Sequence, residues 1–136
     1  MMNFKTFINT IYLGDRACKS LLLNGWEGRV EITVNLLSRI RDSTGNWNFY
    51  SEEDIENGII VFAGIEEVFI EPSGRFPNDA IEHLVVEKVT ENGVGHFRLT
   101  ANQVTEEGET HRVIVRIVAK DLYLIDPINP ETELRI

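Results

Sequence analysis

Arg29-Val30-Glu31-Ile32-Thr33-Val34-Asn35-Leu36 alternates polar and apolar residues without a break. Thr110 to Ala119 does so again, with Val113, Val115, Ile117 and Ala119 in one parity and Arg112, Ile114, Arg116 and Val118 in the other. A period of two sends successive side chains to opposite faces of a pleated strand, a segregation that a helix cannot make. Shorter runs carry the same beat through most of the chain. Phe4 to Leu13 is read as a first strand, with apolar residues in both parities and hence two buried faces or a bulge. Gly14-Asp15 is read as a hairpin turn. Lys19 to Leu23 makes a second strand, Asn24-Gly25-Trp26-Glu27-Gly28 a short loop, and Arg29 to about Ile40 a third strand, the three forming an antiparallel meander.

Beyond the polar loop Asp42 to Asn46, Trp47-Asn48-Phe49-Tyr50 reads as an aromatic-rich fourth strand. Ser51 to Gly58 has a capping serine, acidic residues behind it and a closing glycine, which predicts one short helical turn. Ile59 to Ala63 and Glu67 to Glu71 are strand segments split or bulged at Gly64. Two prolines and a glycine make Pro72 to Asp79 the main irregular loop. Asn92-Gly93 between Ala80–Val89 and Val94–Thr100 is a strong hairpin signal, with Val86 expected opposite Phe97, Leu84 opposite Leu99 and Glu87 opposite His96. Glu106 to Glu109 is a further turn. Leu122 to Ile125 is a last strand or a continuation past a bend, and Asp126-Pro127 ends regular structure before a tail or short edge segment.

Eight to ten short antiparallel strands with one helical turn predict an all-β protein. A two-sheet sandwich spanning residues 1–136 as a single domain fits best, with a closed β-barrel as the alternative. The composition, 43% hydrophobic and 26% charged, is that of a globular protein. The polar-broken N-terminal stretch reads as no secretory signal, and no segment has the roughly 18 apolar residues of a membrane span. One cysteine excludes an internal disulfide and a thiolate zinc cage, so the cytosol is the expected compartment. The net charge of −9 disfavours phosphate backbones and favours a basic protein partner, although acidity also serves solubility alone.

Few residues suggest chemistry. His83 and His96 fall on one hairpin face, on the order of 13 Å apart, too far for a shared metal. Cys18 lies between Arg16 and Lys19, yet in a strand it is expected to point inward as a small hydrophobe. Gly14-Asp15-Arg16 lacks the helix start of a phosphate loop and reads as a turn with a paired or solvated arginine. The acidic groups at 52–56, 66–67 and 106–109 lack calcium-loop spacing and read as solvated loops. Neither a catalytic set nor a metal or cofactor site is expected. Trp47, Phe49 and Tyr50, with Trp26, suit a core plug, a ligand cavity or a partner-facing patch.

Tyr12-Leu13-Gly14-Asp15-Arg16-Ala17-Cys18 resembles the opening of an uncharacterised family of small bacterial proteins, a domain of unknown function. Ser38-Arg39-Ile40, Trp47-Asn48-Phe49-Tyr50, Ile55-Glu56-Asn57-Gly58-Ile59-Ile60-Val61-Phe62 and Pro77-Asn78-Asp79 extend that resemblance in order along most of the chain. It implies no assigned activity and no functional residues; by analogy, small acidic proteins of this kind look like toxin-neutralising immunity proteins. The leading expectation is a non-enzymatic module that binds a basic protein such as a toxin domain, with no nucleic-acid or membrane partner. Trp47 and Tyr50 would anchor it, and Glu52, Glu53, Asp54 and Glu56 would steer the encounter. A small-ligand carrier and a hydrolase using paired carboxylates are the alternatives, the first requiring a large pocket and the second converging ionisable groups.

Overall fold

The structure, a computed structural model, describes residues 3–39 and 54–135. In chain order these form α1 (Phe4–Asn9), β1 (Ile11–Tyr12), β2 (Cys18–Asn24), β3 (Arg29–Val34), β4 (Leu36–Arg39), β5 (Ile55–Glu56), β6 (Ile59–Glu71), β7 (Ile81–Val89), β8 (Gly95–Val104), β9 (Thr110–Asp126) and β10 (Asn129–Arg135). A small antiparallel sheet has the order β1-β4-β5. A seven-stranded antiparallel sheet runs β2-β3-β6-β9-β8-β7, with β10 beside the far end of β9. The protein is mostly strand, in two sheets with one short helix, consistent with an all-β sandwich. The large sheet does not close into a barrel. Its outer strands, β2 and β7, approach only at their first residues, through one isolated bridge between Ala17 and Ala80.

The strand β9 is the spine of the large sheet. It pairs with β6 from Ile114 to Ile125 along one side, with β8 as far as Ala119 on the other, and with β10 from Tyr123 onward. Its alternating residues divide as their period requires: Val113, Val115, Ile117 and Ala119 are fully buried on the inner face. A bulge in β6 between Ile65 and Glu67 lets the long pair bend. Gly64 supplies the left-handed backbone there (φ 62°), and a Cβ at that position would press on Lys120. The inner face of the large sheet then meets Phe7, Ile8 and Ile11 from the N-terminal segment and Leu37 and Ile55 from the small sheet in one apolar core. At its centre Phe97 packs edge-on against Phe4, with centroids 5.3 Å apart, and tilted against Phe62 at 4.9 Å.

Several expectations are corrected. Phe4 to Leu13 is not a strand. Phe4, Phe7, Ile8 and Ile11 have helical spacing, and Asn3 caps the start by accepting the Thr6 N–H at 2.9 Å. Only Ile11–Tyr12 is extended, and it pairs with β4 rather than β2, so Gly14-Asp15 joins two sheets instead of closing a hairpin. The third strand breaks at Asn35, which receives the Ala17 N–H on its side chain and donates its own N–H to the Ala17 carbonyl, and Leu36 onward belongs to the small sheet. The expected helical turn before Gly58 is replaced, in its described part, by β5. Ile55 pairs opposite Leu37 and is buried, and Asn57 rather than Gly58 takes the positive φ. Ile40 to Glu53, which include the expected fourth strand and the start of that turn, lie outside the described residues.

The Asn92-Gly93 hairpin has the expected apolar register, Val86 opposite Phe97 and Leu84 opposite Leu99. A bulge after Val86, however, puts Lys88 rather than Glu87 opposite His96. The continuation past a bend also holds, since Leu122 to Ile125 extend β9, and of the tail or short edge segment expected after Asp126-Pro127 the edge segment is found, as β10.

Phe97→Ala removes the ring that joins α1, β6 and β8, and is expected to lower the unfolding free energy by about 3–5 kcal/mol. Val89→Ala, about half-exposed at the end of β7, should cost under about 0.5 kcal/mol. Urea unfolding of both variants checks this, and equal losses would contradict the core assignment.

Candidate functional site

Of the residues expected to bind a partner, Trp47, Tyr50, Glu52 and Glu53 lie outside the described residues. Asp54 and Glu56 flank buried Ile55 on β5, the edge of the small sheet; Asp54 is half-buried and Glu56 exposed. The neighbouring Asn57 accepts a 2.7 Å hydrogen bond from Lys19 Nζ. That contact sets the acidic stretch around β5 beside the beginning of β2, in the other sheet. Trp26, grouped with the aromatics in sequence, stands at the tip of the β2–β3 hairpin with 98% of its surface exposed.

Residues from the start of β2 to that hairpin share one property: no described strand pairs their outer side after the bridge at Ala17. The polarity of this edge follows from the ladder. Val34 donates to Gly58 and the Gly28 carbonyl accepts from Ile65, so the even-numbered residues of β3 face β6 and the odd-numbered ones face β2. Ser20, Leu22 and Asn24, opposite Thr33, Glu31 and Arg29, therefore turn their backbone groups toward β3. Leu21 and Leu23 turn theirs outward. Their side chains point to the inner face with Ile32 and Val30, whereas Leu22 lies on the outer face; Leu22 and Leu23 are each 52% exposed.

An exposed strand edge is a template for pairing, and folded proteins usually blunt such edges with charges, prolines, bulges or covering elements. The edge strand β7 has two bulges, the exposed charges Glu82, Glu87 and Lys88, and α1 packed beside it. Likewise β10 carries Pro130, Glu131 and Glu133. In β2 such devices are confined to Lys19, with its charge and the bulge there, and from Ser20 to Asn24 there is neither charge nor proline. Beyond the hairpin, Leu23, Val30, Ile65 and Val68 line an open hollow of about 150 Å³.

The surroundings of this edge are acidic. Glu27 lies in the hairpin turn and Glu31 opposite Leu22, while Glu66 and Glu67 are exposed at the β6 bulge, which the Ile65–Gly28 hydrogen bond ties to the hairpin. Of the nearby cations, Lys19 of β2 is held by Asn57, and Arg29 is engaged: its hydrogen bond with Tyr123, followed by the field of Glu27 at 3.2 Å, raises its already high pKa.

The other singled-out groups are structural. Arg16 donates to Ser38 Oγ at 3.1 Å and lies over the Tyr12 ring. His83 approaches Arg98 at 3.5 Å, His111 pairs with Glu109 at 3.4 Å near the β8–β9 turn, and His96 lies opposite Lys88. Among the described residues there is no group of three or more His, Cys, Asp or Glu side chains suited to a metal. On the outer face, Arg98 and Arg116 are direct cross-strand neighbours, a repulsive pairing that Glu87 bridges, with Glu71 on the far side of Arg116. These carboxylates compensate the arginines and leave no open anion site. Among the described residues, no helix is long and apolar enough to cross a membrane.

Cys18 points inward as expected and is fully buried. Burial pushes its thiol from 9.0 up to about 11, slightly opposed by its hydrogen bond to the Ser20 carbonyl. Well below 9.0 the thiol is protonated in folded and unfolded chains alike. Between 9.0 and about 11 the unfolded chain ionises first, so stability falls with rising pH by up to about 1.4 kcal/mol per unit. Urea unfolding across that range should show this slope reduced in Cys18→Ala, and identical slopes would contradict it.

The sequence of this chain matches the model of DUF6258, a family of unknown function, over residues 2–136. No match was found among curated proteins or among solved structures.

Proposed function

We propose, for a chain that belongs to DUF6258, a protein-binding role, with the acidic β2–β3 hairpin as the contact surface and a basic protein as the partner. The observation that carries this reading is Trp26: an indole 98% exposed at a hairpin tip, between half-exposed Leu22 and Leu23 and the carboxylates of Glu27 and Glu31. Tryptophan is the residue most enriched at energetically dominant interface positions, and a fully solvated one adds nothing to the fold that presents it. Carboxylates around an apolar anchor raise the rate of encounter with a basic surface, and the anchor supplies the affinity. Neutralisation of a basic toxin domain, as by an immunity protein, is one role of this kind. The hollow beside Leu23, about 150 Å³, suits one partner side chain rather than a metabolite, whose pockets run to roughly 300–1,000 Å³.

The test uses the immobilised full chain, wild type against Trp26→Ala and Glu27→Lys/Glu31→Lys. Trp26→Ala should leave the melting temperature unchanged while a basic partner held by the wild type is lost, and the charge reversal should abolish its capture. Raising salt from about 50 to about 500 mM should weaken that capture at least tenfold. A partner retained equally by all three proteins and indifferent to salt would refute the reading.

A further inference from the structure

From the unguarded edge of β2 we infer the mode of recognition: the partner contributes an extended, basic segment that adds to the large sheet as a strand alongside Leu21–Leu23. This rests on the proposed binding role and specifies its chemistry. The backbone groups of Leu21 and Leu23 point away from β3, and no described element meets them. Main-chain pairing satisfies such groups and supplies affinity, and side chains on alternate positions supply selectivity. The edge presents apolar surface on both faces, Leu21 and Leu23 inside and Leu22 outside, so an incoming strand gains by placing apolar residues on both. At the inner end, an apolar side chain following Leu23 would reach the hollow between Val30, Ile65 and Val68.

Charge decides the occupant. Glu27 and Glu31 border the edge at the hairpin, Glu56 lies next to the Lys19–Asn57 contact at the other end, and Lys19 is held by that contact. The whole chain carries −9. A segment with lysine or arginine reaching across Leu22 meets complementary charge. A second copy of this chain would instead bring the same acidic hairpin to the seam, where like charges oppose association. The contrast with β7 and β10 strengthens the assignment, since among the described residues of the large sheet those two edges carry charges, bulges or a proline where Ser20 to Asn24 carry none.

The probe is a synthetic peptide of about ten residues alternating valine and lysine, titrated into the full-length protein by calorimetry. Its comparators are a valine–glutamate peptide and a valine–lysine peptide N-methylated at alternate residues, which cannot donate along one side. Leu23→Pro removes one outward N–H while leaving the β3 ladder intact, and Leu23→Val keeps that N–H. Binding is expected for wild type and Leu23→Val with the plain valine–lysine peptide. It should weaken at least about tenfold with Leu23→Pro, with the methylated peptide and with the glutamate peptide. The methylated peptide meets the unaltered protein, so its result does not depend on how well Leu23→Pro folds. Equal affinity for methylated and plain peptides, or no binding of the plain peptide, would overturn strand addition. If partner capture still depended on Trp26, the hairpin would remain the binding surface. Equal affinity for the glutamate peptide would overturn the basic occupant. A dimer of the free protein in sedimentation, abolished by Leu23→Pro, would overturn it in favour of a second copy.

Discussion

The antiparallel pairing of β9 with β6 is the interaction on which the rest of the structure depends. It runs nearly the whole length of both strands, and the bulge opposite Val118 and Ala119 bends them together, so one sheet can both cradle the core and carry partners on either side. Everything else is placed by that ladder. The strands β8 and β10 share the far side of β9, β3 and β2 follow beyond β6, and the N-terminal helix and small sheet cover the concave face. Because Val113, Val115, Ile117 and Ala119 of β9 are small or branched and fully buried, the core has little room to rearrange.

A sheet built outward from such a spine must end somewhere, and its ends are where function and hazard meet. Here one bridge between Ala17 and Ala80, just before β2 and β7, joins the two ends, and no described strand pairs the rest of β2 on its outer side. Its leucines are left beside the exposed indole of Trp26 and a ring of carboxylates. Such an edge, in a protein that must not aggregate, is tolerable when acidity repels copies of itself while attracting something of opposite charge.

The strands with strict alternation were legible in the sequence because both faces of each had a clear assignment. Arg29–Val34, Thr110–Ala119 and the Asn92-Gly93 hairpin appear where their patterns predict. The errors came from residues whose spacing serves two readings. Phe4, Phe7, Ile8 and Ile11 populate both strand parities, and the same positions form one stripe of a helix; the Asn3 cap was the deciding signal. Strand membership was less visible still. Periodicity shows that Leu36 to Arg39 is extended, but only the tertiary hydrogen bonds of Asn35 with Ala17 send it to a different sheet. The bulge at Glu87 likewise leaves no mark in the alternation that could be read beforehand. As for the candidate site, Leu21-Leu22-Leu23 has the pattern of an ordinary strand, and the loss of polar alternation beside an exposed turn is the one sign in the sequence of an apolar edge. Acidity was visible from composition, and its concentration around β2 required the fold.

Residue-resolved amide hydrogen exchange of the free protein tests the bare edge most directly. If β2 is open on its outer side, Leu21 and Leu23 exchange at least about tenfold faster than their neighbours Leu22 and Asn24, whose N–H groups are bonded to β3. Uniform protection from Ser20 to Asn24 would show the edge to be covered within the chain itself and would remove the basis for a partner strand.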